Sequence, residues 1–131
     1  MKTTKIWANL AVANLQKTDN FYKQLGFKYN NPSQSKELTS FMVGIDDFII
    51  HFFLKEILET NLHIQMGDPK QGSEVIFSLA AESKEGVNEW LKVVEKTGGT
   101  IFSPPATIGK GYSFGFSDPD GHKFNVLYWP K

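Results

Sequence analysis

The sequence contains no cysteine, carries no net charge and has no long hydrophobic run. The lack of cysteine excludes disulfides, thiolate metal sites and cysteine nucleophiles, and it fits a reducing compartment. Fourteen basic residues balance fourteen acidic ones, which argues against charge-driven binding to nucleic acid or a membrane surface. The most apolar run, Phe48 to Leu54, is far shorter than the roughly 20 residues of a membrane-spanning helix. The N-terminus also lacks the apolar core of a signal peptide, so we expect a cytoplasmic protein with no nucleic-acid or membrane partner.

Aromatic residues are abundant, at 14% of the chain with eleven phenylalanines. Aromatic side chains favour pleated surfaces and pack well as pocket walls. The composition therefore predicts a sheet-built core or a pocket lined by rings. The length of 131 residues is typical of one domain, so we predict a single domain over residues 1–131.

The stretch from Tyr112 to Trp129 predicts a long antiparallel hairpin. Its centre, SDPDG at 117–121, combines aspartates that can bond their own backbone, a proline and a glycine, which are turn residues. Runs of Phe, Tyr and Val on either side predict strands. Alternation in the second strand places Asn125 and Leu127 on one face. An amide on an otherwise apolar face marks a candidate site.

The order strand, helix, strand, strand, strand is predicted twice along the chain. The first copy has strands over 5–12, 27–29, 38–43 and 48–55, with a helix from 15 to 25 after the N-cap Asn14. The second has strands over 74–79 and 100–102, a helix between Ser83 and Gly98, a rigid loop at Pro104 and Pro105, and the hairpin. A polar, irregular segment lies between them, with room for a short helix at its start. The repetition predicts an α+β fold of two βαβββ units, about 1–57 and 73–131, joined by a linker at about 58–72.

Three stretches resemble the vicinal oxygen chelate superfamily, which groups glyoxalase I, bleomycin-resistance proteins and extradiol dioxygenases. They are NLAVANLQKTDNFYKQLGF (9–27), SLAAESKEGVNEWLKVVEKTGG (78–99) and FSDPDGHKFNVLYW (116–129). These stretches are similar in particular to a bacterial lactoylglutathione lyase-like subgroup. The resemblance implies that the two units form an eight-stranded cup-like sheet around a divalent metal, with the helices outside. It also implies a homodimer.

The resemblance further implies a metal site. Members that hold a metal take ligands from the first and last strands of each unit, at places that match Trp7, His51, Glu74 and Asn125. His51 and Glu74 are suitable ligands for zinc, nickel, iron or manganese, and Glu74 is also a candidate catalytic base. Tryptophan cannot coordinate a metal, and Asn125 offers a neutral carbonyl where the family commonly has glutamate. A divalent metal would therefore have an incomplete ligand set.

The expected binding pocket is lined by six side chains: Trp7, Asn9, His51, Phe53, Asn125 and Leu127. We expect a small, partly apolar molecule to bind there, since sequestration in antibiotic-resistance members requires only a pocket. Two alternatives stay open: a divalent-metal-dependent lyase or dioxygenase, and a structural or regulatory dimer with a vestigial site. Without the resemblance, the favoured interpretation of His51 is a core histidine bonded to a neighbour, and Glu74 is equally well interpreted as a solvated residue at a strand start.

Overall fold

The computed structural model describes all 131 residues, Met1–Lys131. The chain divides into two compact units, residues 1–67 and 68–131, and the division lies within the segment predicted as a linker. Each unit contains one four-stranded sheet. That residues 1–131 form a single domain stays a prediction.

The first unit begins with a strand and a helix and ends with a second helix. Its elements are β1 (Ala8–Val12), α1 (Leu15–Gln24), β2 (Lys28–Tyr29), β3 (Leu38–Val43), β4 (Phe48–Leu54) and α2 (Lys55–Leu62), with a 3-10 turn over Asn31–Ser33. The sheet order is β1-β4-β3-β2, with β1 parallel to β4 and the other pairs antiparallel. As predicted, the Asn14 side chain caps α1, accepting a hydrogen bond from the Lys17 backbone N–H at 3.0 Å.

The second unit repeats this order without the last helix. Its elements are β5 (Ile76–Ala80), α3 (Lys84–Thr97), β6 (Thr100–Ile108), β7 (Gly111–Ser117) and β8 (Lys123–Tyr128). The sheet order is β5-β8-β7-β6. Ser83 caps α3 and Gly98 ends it with a left-handed φ of 84°, as the sequence predicted. The prediction of an α+β fold with two βαβββ units is therefore confirmed. No helix in either unit combines the length and apolar character that crossing a membrane requires.

Two strands begin later in the structure than the sequence predicted. The first begins at Ala8, so Trp7 precedes it. The fifth begins at Ile76, so Glu74 lies outside it. In the second sheet the reason is pairing, because Ile76 is opposite Lys123, the first residue of β8. Residues before Ile76 therefore have no strand partner.

Strand β6 is longer than predicted and replaces the expected rigid loop. It runs through Pro104 and Pro105 to Ile108. Its register with β7 shifts between Ile101 and Ala106, and it is the edge strand of its sheet. Proline is tolerated at edges and bulges, because the missing N–H is not needed for the ladder.

The first sheet buries one face beneath α1. Tyr22 of α1 stacks on Phe52 with ring centroids 4.5 Å apart, and it also contacts Phe41. All three side chains are fully buried. Because side chains alternate along a strand, His51 of β4 lies on the opposite face.

The second sheet packs against α3 in the same way. Phe116 and Phe124 stack with centroids 5.2 Å apart and are fully buried. The Tyr112 hydroxyl donates to Oδ1 of Asn88 in α3 at 2.9 Å. Tyr112 and Phe116 are on the same face of β7, so that face is toward the helix, and Phe124 of β8 stacks on Phe116 there. Asn125 therefore lies on the face away from α3.

Asp118 organises the turn between β7 and β8. Its Oδ1 accepts hydrogen bonds from the backbone N–H groups of Asp120, Gly121 and His122 at 3.0, 2.9 and 2.8 Å. Gly121 has a φ of +102°, and a Cβ there would lie 2.9 Å from the backbone nitrogen of Lys70. The turn therefore requires both the carboxylate and the glycine.

Candidate functional site

His51 lies in the middle of β4 on the face of the first sheet away from α1, which we call the His51 face. Its register partners are Asn9 of β1 and Ser40 of β3. The rings of Trp7 and Phe53 meet the imidazole edge-on, with centroid separations of 6.0 and 5.9 Å. The structure therefore brings together four predicted pocket residues, although Trp7 is outside the strand.

Ser40 is a site residue that the sequence analysis missed. It is fully buried, and its Oγ lies 2.8 Å from Nδ1 of His51. Asn30, which follows β2, donates its Nδ2 to this Oγ at 3.1 Å and to Ser33 Oγ at 3.2 Å. The available signal was a serine in the centre of the strand LTSFMV, but its meaning depends on knowing which residue lies opposite.

Burial lowers the pKa of His51 below its ordinary value of about 6.5. We therefore expect the free energy of unfolding to fall as pH decreases below about 6.5, because the unfolded chain then binds a proton that folded His51 does not. The contribution of neutral His51 to the free energy of unfolding is fully present above about pH 6.5. It is lost as the pH drops through the folded-state pKa of His51. Urea unfolding at a series of pH values measures the effect. The slope should be shallower in His51→Gln, and equal slopes would contradict the prediction.

Asn125 lies on the face of the second sheet away from α3, which we call the Asn125 face. The Ser78 hydroxyl of β5 donates to its Oδ1 at 2.5 Å. The Nδ2 group makes no hydrogen bond in the structure, so its N–H groups are available to a ligand. Leu127 follows two residues later and lies on the same face.

Phe102 is a second residue that the sequence analysis missed. A Cβ at Gly115, the register partner of Asn125, would lie 2.5 Å from the Phe102 ring. The glycine therefore leaves the space that the ring occupies on the Asn125 face. Phe102 is 44% exposed, so its ring is accessible as an apolar wall. The sequence signal was Gly115 between Phe114 and Phe116 in a buried strand.

The registers of the two sheets place Ile76, and not Glu74, in the position equivalent to Trp7. In the first sheet, Trp7 lies two residues before the partner of His51. In the second sheet, Ile76 lies two residues before the partner of Asn125. Glu74 lies two residues further back, exposed and outside β5. Its roles as metal ligand and catalytic base stay predictions.

Neither the His51 face nor the Asn125 face has side chains that fit a resident divalent metal. Trp7 and Ile76 cannot coordinate an ion, and the neutral Oδ1 of Asn125 already accepts a hydrogen bond. His51 alone offers a strong ligand atom. Catalytic zinc sites normally have three protein ligands, and no group of three or more His, Asp or Glu side chains in the structure could hold a metal ion.

Comparison with solved structures shows close similarity in fold. A hypothetical protein from S. aureus is 26% identical with a TM-score of 0.85, over 98% of this chain and 95% of that one. A glyoxalase/bleomycin resistance protein/dioxygenase family enzyme from Burkholderia phytofirmans PsJN is 17% identical with a TM-score of 0.81, over 97% and 100%. The fosfomycin resistance protein FosX from Listeria monocytogenes, in complex with Mn(II) and sulfate, is 20% identical with a TM-score of 0.72, over 99% and 93%.

Sequence comparison identifies the family. No curated protein matches the sequence significantly. A family model described as the glyoxalase/bleomycin resistance protein/dioxygenase superfamily matches residues 6–126, which is nearly the whole chain and includes both units. The resemblance found in the sequence is therefore confirmed, and the chain belongs to the glyoxalase/bleomycin resistance protein/dioxygenase superfamily.

Proposed function

We propose that the chain binds a small, partly apolar molecule on the His51 face, and that this binding does not require a resident metal ion. The observation that supports it best is the surroundings of His51. A half-buried imidazole with a lowered pKa lies between the rings of Trp7 and Phe53, and its Nε2 makes no hydrogen bond in the structure. A polar group set among apolar walls is typical of small-molecule sites.

The Asn125 face supports the same kind of chemistry in the second unit. There the Nδ2 of Asn125 offers N–H donors beside Leu127 and the exposed ring of Phe102. We propose that this face also binds a small molecule. The lactoylglutathione lyase-like assignment and the homodimer stay proposals that rest on family membership. The cytoplasmic location also stays a proposal.

The binding proposal is tested by a screen of small aromatic molecules, including benzoate, phenol and benzyl alcohol, against the ¹⁵N-labelled full chain. We expect at least one to shift the amide signals of Asn9, His51 and Phe53. His51→Ala should weaken that binding by about tenfold, through loss of a hydrogen bond and a ring contact. His63→Asn is the matched control, because it removes an imidazole at a helix end with a left-handed φ of 53°, which asparagine tolerates.

Two results would contradict the binding proposal. One is the absence of any amide shift in β1 and β4, and the other is equal affinity in wild type and His51→Ala. Asn125→Ala, measured in the same screen, tests binding on the Asn125 face of the second unit.

A metal-dependent lyase or dioxygenase is the second candidate, because the FosX relative is seen with Mn(II) and His51 supplies one imidazole. Elemental analysis of protein purified without chelator distinguishes the two candidates. The binding proposal predicts no stoichiometric metal and no effect of Glu74→Ala on probe affinity. A stoichiometric metal that is lost in Glu74→Ala would favour the metalloenzyme.

A further inference from the structure

The hydroxyl of Ser40 has a restricted choice of hydrogen-bond partners. Ser40 is fully buried, and its Oγ contacts only Nδ2 of Asn30 and Nδ1 of His51. An amide nitrogen can donate but cannot accept. The single hydroxyl proton therefore has one acceptor, Nδ1 of His51. A neutral imidazole that accepts at Nδ1 carries its own proton on Nε2.

The loop after β2 holds Asn30 and Ser40 in this arrangement. The backbone N–H of Asn30 donates to the carbonyl of Ser40 at 2.9 Å, and the side chain of Gln34 donates to the same carbonyl at 2.7 Å. The two N–H groups of the Asn30 amide are directed at Ser40 Oγ and Ser33 Oγ. The direction of the hydrogen bonds is thus fixed from Asn30 through Ser40 to His51.

We propose that Asn30 and Ser40 are positioning residues that hold His51 as an Nε2–H donor, and that the ligand of the His51 face carries an oxygen acceptor, a carboxylate or carbonyl, on an apolar group. The ligand class rests on the proposed function. The imidazole lies beside the rings of Trp7 and Phe53, which suit the apolar part of the ligand. A hydrogen bond made in such surroundings is stronger than one made in water.

The same arrangement opposes metal binding through His51. A metal on Nε2 requires the ring proton to be on Nδ1. Nδ1–H would then donate to Ser40 Oγ, which already accepts from Asn30, and the buried Ser40 hydroxyl proton would have no acceptor. Leaving a buried donor without a partner is unfavourable.

The charge-changing variant Asn30→Asp tests this arrangement. A carboxylate beside Ser40 would accept a hydrogen bond from the Ser40 hydroxyl. Ser40 Oγ would then accept a hydrogen bond from Nδ1–H of His51, so the ring proton would be on Nδ1 and not on Nε2. Long-range ¹H–¹⁵N correlation at about pH 8, well above the ordinary histidine pKa of about 6.5, identifies which ring nitrogen is protonated. His51→Gln assigns the ring signals. We expect Nε2–H in the wild type and Nδ1–H in Asn30→Asp.

Two further variants test whether the hydrogen bonds from Asn30 through Ser40 to His51, and not added charge alone, set the position of the ring proton. Asn31→Asp adds the same charge one residue along and should leave the ring proton on Nε2. If Asn30→Asp does not fold, Ser40→Ala takes its place, and the Nδ1 signal should move to higher frequency because the nitrogen has lost its donor. A wild-type ring protonated on Nδ1 would overturn the proposal. So would an unchanged ring in a folded Asn30→Asp, or an unchanged Nδ1 signal in Ser40→Ala.

The ligand class is tested with benzoate and benzylammonium, which share a ring and differ in the polar group. We expect benzoate to bind the wild type and Asn31→Asp equally, and Asn30→Asp about threefold to tenfold more weakly. Benzylammonium binding as tight as benzoate binding would overturn the ligand class. If the ring is Nε2–H but no aromatic probe binds, the proposed function fails while the assignment of Asn30 and Ser40 stands.

Discussion

Phe52→Ala is expected to lower the free energy of unfolding by about 3–5 kcal/mol, the usual cost of removing a core phenylalanine. Phe52 is fully buried and stacks on Tyr22 at 4.5 Å, so its loss leaves a cavity that the surrounding rings cannot fill. Urea denaturation of the wild type and the variant measures the difference.

Phe53→Ala is the matched control, because it truncates the same side chain one residue later on the other face of β4. Phe53 is half-buried beside His51, so we expect a loss of only about 1–2 kcal/mol. Phe53→Ala should weaken binding of an aromatic probe that the wild type binds. Equal losses of stability in the two variants would mean that β4 does not separate a core face from a ligand face.

Asp118→Ala is expected to destabilise the chain by about 3 kcal/mol. The reason is that the buried Asp118 Oδ1 accepts three backbone hydrogen bonds in the turn. Hydrogen bonds to a charged group contribute about 1.5–3 kcal/mol each, and bonds that share one acceptor do not add fully. Urea denaturation again measures the loss.

Asp118→Asn is the control for this prediction, since its Oδ1 can accept the same hydrogen bonds without the charge. We expect it to lose clearly less stability than Asp118→Ala. If Asp118→Ala unfolds at the same urea concentration as the wild type, the carboxylate is not what holds the hairpin turn.

Local signals in the sequence predicted the parts of the fold that depend on neighbouring residues. Asn14 and Ser83 cap helices because a short polar side chain satisfies the first free N–H groups. The turn at Asp118 follows from residues within four positions of it. Alternation in the last strand similarly placed Asn125 and Leu127 on one face. These features required no knowledge of the partner strands.

Features that depend on distant partners were predicted less well. The start of β5 is set by pairing with the first residue of β8, which is why Glu74 was wrongly included in a strand. Trp7 was also wrongly included, because β1 begins at Ala8. The prolines of β6 are tolerated because that strand is at an edge. Ser40 and Phe102 became site residues only when the structure showed what lies opposite them.

The chemistry of the two faces differs from that of a chelating site. Where the resemblance implied metal ligands, the His51 face has one imidazole beside tryptophan, and the Asn125 face has an amide whose oxygen is already bonded. In our proposal, the groups left available to a ligand are N–H donors. N–H groups of the protein bind oxygen acceptors of a ligand, whereas a metal ion binds to lone pairs that the protein offers. The site residues therefore support ligand binding better than metal-dependent isomerisation.

A crystal structure of the full chain grown with benzoate tests ligand binding on the His51 face most directly. We expect a carboxylate oxygen within hydrogen-bond distance of His51 Nε2 and the benzoate ring against Trp7 and Phe53, with no metal on the imidazole. A metal ion bound to His51 Nε2, or benzoate found only away from the His51 face, would contradict this expectation.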